Sequence, residues 1–484
     1  MLGPSAWAQK RGTRKPRNIL MLCVDDLRPE LGCYGASHVH SPNIDAFAGT
    51  AMRFDRSYCQ FPQCGPSRCS LLTGLRPETA RHKGRVNYID RNPIYRETAT
   101  LAGHLTGQGY RTANYGKIYH SPRDDRKSWT DPQPLNRKEL DYVWGYPGYG
   151  LRENVDLSTK IRREMKAAGR RGYFNGPSVE AADLPDDAYY DGLTTNNTIA
   201  MLREMAGEPN RPFFLAAGWY KPHLAFCAPK KYWDLYDRDA IALAGNNFHP
   251  TGTPEAAITP WAEKELRNYS DIPAEGSIPE SKQRELIHGY YACISFIDTQ
   301  IGRVLNELDR LGLADDTAVV MWGDHGFHLG ENGHWTKNIN WERSHHSPLL
   351  LRVPGMHRSG ERGTDALVEF VDIYPTMLDA VGLPDPDHEL QGQSLLPLLK
   401  SPSRSWKTAA FSMFGRDVSM RTDRYRYTPY RSAEGELIGE ELFDLHADPM
   451  ANTNLANDPD HAAVKARLTR QHADGWRNAK APSV

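Results

Sequence analysis

The chain has 484 residues, enough for one large domain and a smaller one. Hydrophobic residues make up 39% and charged residues 25%, the balance of a soluble globular enzyme, and no apolar run is long enough to span a membrane. Lys and Arg number 59 against 60 Asp and Glu, so the bulk charge gives no reason to expect nucleic acid as a partner, and an anionic ligand has to be met by a local basic pocket.

Residues 1–17 read as a disordered, basic lead-in. Ser5-Ala6-Trp7-Ala8-Gln9 is similar to the small-residue end of an export signal, but no apolar stretch precedes it. A continuous apolar run at 19–24 predicts a strand buried on both faces, and like runs follow at 212–217, 317–322 and 349–353. Helical patterns fall at 98–108, 187–205 and 282–311; in the last, Ile294, Ile297, Ile301, Val304, Leu305 and Leu308 recur at helical spacing. Strands alternating with helices predict an α/β sandwich around a largely parallel sheet. Segments 121–185 and 240–280, rich in Pro, Gly and charge, read as long surface insertions. The Pro/Ser stretch 400–406 breaks the pattern, and 420–427 and 441–445 predict a small β-rich C-terminal unit. The expected division is therefore a lead-in to 17, a catalytic domain over 18–402, and a subdomain with a small antiparallel sheet over 403–484.

Asp25 and Asp26 follow the first buried strand directly, and the strand at 317–322 runs into Gly323-Asp324-His325-Gly326. In parallel α/β sheets ligands sit beyond the carboxyl ends of strands, and adjacent carboxylates repel unless a cation joins them. Oxygen donors of this kind favour Ca²⁺ or Mg²⁺ over zinc, and His325 fits such a site less well than the aspartates. The segment Cys64-Gly65-Pro66-Ser67-Arg68-Cys69-Ser70-Leu71-Leu72-Thr73-Gly74 predicts a helix start with Cys64 at its positive end. As a bare thiolate, Cys64 is a soft ligand mismatched to an oxygen-liganded cation. The other six cysteines (23, 33, 59, 69, 227 and 293) have the spacing of neither a disulfide framework nor a zinc site. The 11 Trp and 23 Tyr suit a carbohydrate-handling surface as well as a core.

Cys-x-Pro-Ser-Arg followed by Leu-Thr-Gly resembles the type I sulfatases of the alkaline phosphatase superfamily, and within them the iduronate-2-sulfatase group. Further matching pieces are Val24-Asp25-Asp26-Leu27-Arg28-Pro29, Gly116-Lys117-Ile118-Tyr119-His120, Lys221-Pro222-His223, Asp324-His325-Gly326, Trp335-Thr336-Lys337 and Arg421-Thr422-Asp423-Arg424-Tyr425-Arg426-Tyr427. The resemblance implies an alkaline-phosphatase-like α/β sandwich with a small C-terminal α+β subdomain. It also implies oxidation of Cys64 to formylglycine by a maturing enzyme, with the aldehyde hydrate supplying one oxygen to a calcium ion and one as nucleophile. Carried over residue by residue, Asp25, Asp26, Asp324, His325 and modified Cys64 bind Ca²⁺, and Arg68 holds the formylglycine. Lys117, His223 and Lys337 bind sulfate, and His120 orients or deprotonates the hydrate.

Phe327 stands where the iduronate-type enzymes usually have Trp, at a position expected to line the substrate pocket. Arg421, Arg424 and Arg426 read either as clamps for a uronate carboxylate or as strand charges, with Arg421 the candidate substrate contact. The expected substrate is a sulfated oligo- or polysaccharide, specifically a 2-O-sulfated uronic acid at a chain end, handled outside the cell or in the periplasm. A phosphodiester or phosphonate monoester hydrolase, and an inactive glycan-binding relative, are the competing readings.

Overall fold

The computed structural model describes residues 17–81, 86–135, 148–170, 172, 174–258, 263–356 and 363–482. Residues 1–16 of the expected lead-in, and parts of both expected insertions, lie outside them. A seven-stranded sheet forms the centre. Its strands in chain order are β1 (Asn18–Val24), β2 (Met52–Tyr58), β3 (Arg111–Gly116), β4 (Phe213–Trp219), β5 (Thr317–Gly323), β6 (Leu349–Arg352) and β7 (Gly363–Glu369). The spatial order is β7-β2-β6-β5-β1-β4-β3, and only β6 runs against the rest.

The unbroken apolar run of β1 has a direct cause. Leu20, Leu22 and Val24 face one layer of the core, while Ile19, Met21 and Cys23 face the other, and all six are fully out of water. A strand covered on both faces has no solvent side on which to alternate polar residues. The principal helices are α1 (Cys64–Thr73), α2 (Leu101–Gly107), α3 (Arg152–Ala167), α4 (Tyr190–Ala206), α5 (Glu280–Arg310), α6 (Ile373–Val381) and α7 (Ala462–Asn478). The 31-residue α5, about 46 Å long at ~1.5 Å per residue, lays the apolar stripe Ile294 to Leu308 on the first layer. Helices α1, α2 and α6 cover the second.

The expected buried strands and the three expected helices are present, their ends shifted by a few residues. Strands β2 and β7 were not foreseen. Both lie toward the sheet's edge, where Arg53, Asp55 and Arg56 are only half-buried and Asp365 is exposed, and these charges dilute the apolar signal. The insertion at 121–185 contains α3, and Val179–Ala182 pairs in parallel with Phe226–Pro229. Beyond the sheet, four antiparallel strands β8 (Ala409–Phe414), β9 (Asp417–Thr422), β10 (Tyr425–Arg431) and β11 (Leu437–Asp444) form a meander. Leu468 of α7 packs in the meander's own small core. It is tied to the main sheet by a buried ionic knot. Lys407 donates to Glu369 at 2.8 Å and to both oxygens of Asp372 at 2.7 Å, and Arg76 reaches Glu369 at 2.6 Å.

The ends of β3 and β4 approach unusually closely. Gly116 takes the left-handed conformation (φ 73°), and a Cβ there would collide with the carbonyl of Gly218. That absence of side chains lets the chain turn from β3 straight into Lys117. Gly116→Ala is therefore expected to cost about 3 kcal/mol of folding stability. The urea-denaturation midpoint checks this; an unshifted midpoint would show that the turn relaxes freely.

Candidate active site

Four parallel strands end level with one another, because Val24 is in register with Gly323 and Trp219, and Gly116 with Gly218. Each delivers polar side chains to the same crevice one or a few residues later: Asp25 and Asp26 from β1, Asp324 and His325 from β5, Lys117 from β3, His223 from β4. Cys64 enters as the first residue of α1. Its Sγ lies 3.4 Å from His325 Nε2 and 3.7 Å from Asp26 Oδ1.

Arg68 is one turn along α1 and fully buried. It donates to Asp25 Oδ1 and to Asp324 Oδ2, both at 3.0 Å, and to the carbonyl of Lys117. Lys117 pairs with the other oxygen of Asp25. Lys337 reaches both oxygens of Asp26, at 2.8 and 2.6 Å. Asp26 itself has φ 57°, and its amide donates to Asp324 Oδ1 at 2.9 Å, locking the two carboxylate-bearing strand ends together.

These neighbours set the charge states. Burial alone would raise the Asp25 carboxyl, but Lys117 and then Arg68 hold it well below the ordinary range. Burial, and then the charge of Asp25, raise Asp324. Burial, and then Asp25, push the Cys64 thiol well above its usual value, the opposite of what an activated thiolate requires. Lys337 is held well above its ordinary value by Asp26, Cys64 and Glu265 against the pull of burial. His120 sits at the mouth with its outer face exposed and its ring 5.7 Å from Tyr88. Crowding by its neighbours, and then the Lys117 ammonium, lower its basicity.

The structure gathers Asp25, Asp26, Cys64, Arg68, Lys117, His223, Asp324, His325 and Lys337 around one point, but two expected substrate contacts lie elsewhere. Phe327 is fully buried, stacked on Tyr290 with ring centroids 5.4 Å apart. It backs Lys337, whose Nζ lies 5.9 Å from its ring centroid, and does not line the crevice. Arg421 is buried at the base of the C-terminal meander, donating to Glu342 at 3.3 Å and to the carbonyls of Thr422 and Asp423. Arg426 pairs with the same Glu342 and Arg424 with Asp444, so Arg421 and Arg426 are taken up at the meander's junction.

Two residues escaped sequence reasoning. Asp191, at the start of α4, accepts from the amides of Tyr220 and Lys221, both at 2.8 Å, and fixes the loop that carries His223. Glu265 accepts from His223 Nε2 at 2.9 Å and from Lys337 at 3.1 Å. Partial burial works against its ionisation, yet Lys337 and then His223 hold its carboxyl below the ordinary range. Neither residue stands in a motif; Glu265 belongs to the insertion at 240–280.

The fold is alkaline-phosphatase-like, as in solved sulfatases and related hydrolases. The structure is similar to the phosphonate monoester hydrolase of Agrobacterium radiobacter, with TM-score 0.71 and 24% identity over 95% of each chain. It is also similar to a solved 2-O GAG sulfatase, with TM-score 0.68 and 20% identity over 97% of this chain and 95% of that one. In sequence, the family described as Sulfatase is matched over 17–383, and N-sulphoglucosamine sulphohydrolase, C-terminal, over 330–477. Iduronate 2-sulfatase of Mus musculus is 31% identical over 94% of each chain, and that of Homo sapiens 31% identical over 93% of each. The chain belongs to the sulfatase family and is a sulfuric ester hydrolase.

Loss of Arg68 should show how much the two aspartates depend on it. In metal-free protein, Arg68→Met is expected to lower unfolding free energy by about 3–5 kcal/mol, since it leaves two buried carboxylates without their shared partner. Arg68→Lys should recover little of this, because an ammonium cannot bridge both. Urea titration of both variants measures the loss.

Proposed function

We propose that this sulfatase removes sulfate from a sulfated glycan, with a 2-O-sulfated uronic acid or similar sugar as substrate. The glycan reading rests on the relatives at 31% identity, which are named iduronate 2-sulfatases. The observation that carries the chemistry is the strand-end cluster itself: three buried carboxylates, a buried guanidinium and two buried ammonium groups converge on Cys64.

An unmodified thiol is a poor fit there, being held protonated and soft among hard oxygen donors. Conversion of Cys64 to formylglycine by a maturing enzyme removes both problems, since the hydrate of the aldehyde presents hydroxyl oxygens in place of sulfur. A divalent cation also fits, because ligand atoms of Asp25, Asp26, Cys64 and His325 all lie within 4.8 Å of one another. Ca²⁺ would be held by Asp25, Asp26, Asp324, His325 and modified Cys64, and would supply Lewis-acid polarisation of the sulfate.

The chain's own residues divide the remaining work. Arg68 bridges Asp25 and Asp324, and through the Lys117 carbonyl it sets the turn that aims Lys117. Lys117, Lys337 and His223 meet the sulfate oxygens and offset charge that develops on the departing alcohol. His120, kept largely neutral, can accept a proton from the nucleophilic hydroxyl.

Among the described residues no helix is long and apolar enough to cross a membrane. Because sulfated polysaccharides are extracellular polymers, we place the protein outside the cell or in the periplasm. We take 18–402 as the catalytic domain and 403–484 as its subdomain. A phosphonate monoester or phosphodiester hydrolase is the second reading, favoured by the structural likeness to such an enzyme.

A desulfation screen on defined sulfated oligosaccharides, beside aryl phosphodiesters, tests the reading; faster phosphodiester cleavage would reverse the order of the two. Cys64→Ala is expected to lower sulfate release by at least about a thousandfold. The mass of the peptide containing residue 64 from active enzyme should be that of formylglycine; full activity with an intact cysteine would overturn the mechanism. Chelation should abolish turnover and added Ca²⁺ restore it, with Asp324→Asn weakening Ca²⁺ affinity in a direct titration.

A further inference from the structure

The donors of the crevice can be counted. His223 has two ring nitrogens: Nδ1 faces the carbonyl of Leu224 at 2.6 Å, and Nε2 faces Glu265 Oε1 at 2.9 Å. Whatever its protonation, every N–H the ring can carry is directed at one of these acceptors. Lys337 has three N–H groups and meets three acceptors: the two oxygens of Asp26 at 2.8 and 2.6 Å, and Glu265 at 3.1 Å. Neither side chain has a donor to spare while Glu265 stays where it is. One carboxylate thus occupies two donor side chains that come from different parts of the chain, one following β4 and one following β5.

The rest of Glu265's surroundings show what can move. Its short helical turn, Lys264–Arg267, is anchored: Leu266 is buried, and Glu263 accepts from the amide of Trp335 at 3.3 Å while pairing with Arg267 at 3.0 Å. The Glu265 side chain is 25% exposed, whereas that of Lys337 is 3% exposed. The backbone is fixed, and the carboxylate has solvent on one side. Turning it outward frees one donor on His223 and one on Lys337 together.

We propose that Glu265 is a displaceable stand-in for the substrate's anion: its carboxylate fills the place of a sulfate oxygen pair between His223 and Lys337, and substrate binds by replacing it. This inference rests on the reading that His223 and Lys337 receive the sulfate. Glu265 keeps the two side chains poised between turnovers, at the cost of competing with every anion that enters. A tethered competitor acts at a high effective concentration, so weakly held anions are excluded and only a ligand with further contacts in the crevice displaces it. Glu265 is accordingly a positioning and specificity residue, not one that reacts.

The two roles open to such a carboxylate predict opposite signs. If it only braces its neighbours, removing its charge loosens the site and weakens anion binding. If it stands in for the anion, removing its charge strengthens binding. Titration calorimetry with sodium sulfate on the purified full-length chain, Glu265→Gln and Glu265→Ala distinguishes them.

The expected result is a Kd for sulfate about tenfold lower in both variants. In steady-state kinetics on an aryl sulfate, KM should fall, product inhibition by sulfate should rise, and kcat should not increase. A Kd that is unchanged or higher in both variants overturns the proposal. The near-isosteric Gln keeps the test decisive should the Ala variant fold poorly. Failure of the unaltered chain to hydrolyse any sulfate ester counts against the proposed function alone, because the sulfate affinities are compared without turnover.

Discussion

Arg68 lies wholly out of water between two aspartates that belong to different strands, and the crevice is organised around that contact. Buried carboxylates are tolerated only when their charge is met, and Asp25 and Asp324 share one guanidinium. The same guanidinium holds the backbone carbonyl of Lys117 and so draws the end of a third strand toward the other two. Because Arg68 is one turn after Cys64 on α1, the contact also fixes where the helix begins, and with it the position of Cys64. A single side chain thus couples Cys64, the carboxylates and Lys117.

The parallel sheet makes this convergence possible. With β1, β3, β4 and β5 in register and pointing the same way, their carboxyl ends form one rim, and whatever residue follows each strand arrives at that rim. The strands themselves contribute bulk and rigidity. Two glycines, Gly116 and Gly218, allow the last residues of neighbouring strands to pack backbone against backbone, which brings Lys117 within reach of Asp25. The C-terminal meander contributes differently. Lys407 is taken up by Glu369 and Asp372, and Arg426 by Glu342, which ties the meander to the rest of the protein, while Arg424 pairs with Asp444 inside the meander.

The site is nearly neutral by construction. Asp25, Asp26, Asp324 and Glu265 face Arg68, Lys117, Lys337 and two histidines, and each charge is met at hydrogen-bond distance. An arrangement of this kind stays folded before any ion or substrate arrives. The internal pairs must be exchanged for external ones when they do, and the part of Glu265 open to water marks where that exchange can begin.

Local patterns in the sequence determined a good deal. Apolar runs identified the doubly covered strands, and helical spacing in 282–311 identified the face of α5. The residues following those runs read as strand-end groups, Asp25 and Asp26 after one and Asp324 and His325 after another, while Lys117 and His223 entered through the family resemblance. The Cys64 to Gly74 segment placed Cys64 and Arg68 one turn apart at a helix start, and pointed to the family. Such features are legible because they depend on neighbours in the chain.

The tertiary structure decided what depends on neighbours in space. It turned Arg421 into a junction residue by placing Glu342 beside it, and it put Phe327 beneath Lys337, out of the crevice. It brought Glu265, from an irregular insertion without periodicity, between His223 and Lys337. Charges pair by distance, and the distances between segments far apart in the chain are set by strand register and loop packing, for which the sequence carries no local sign.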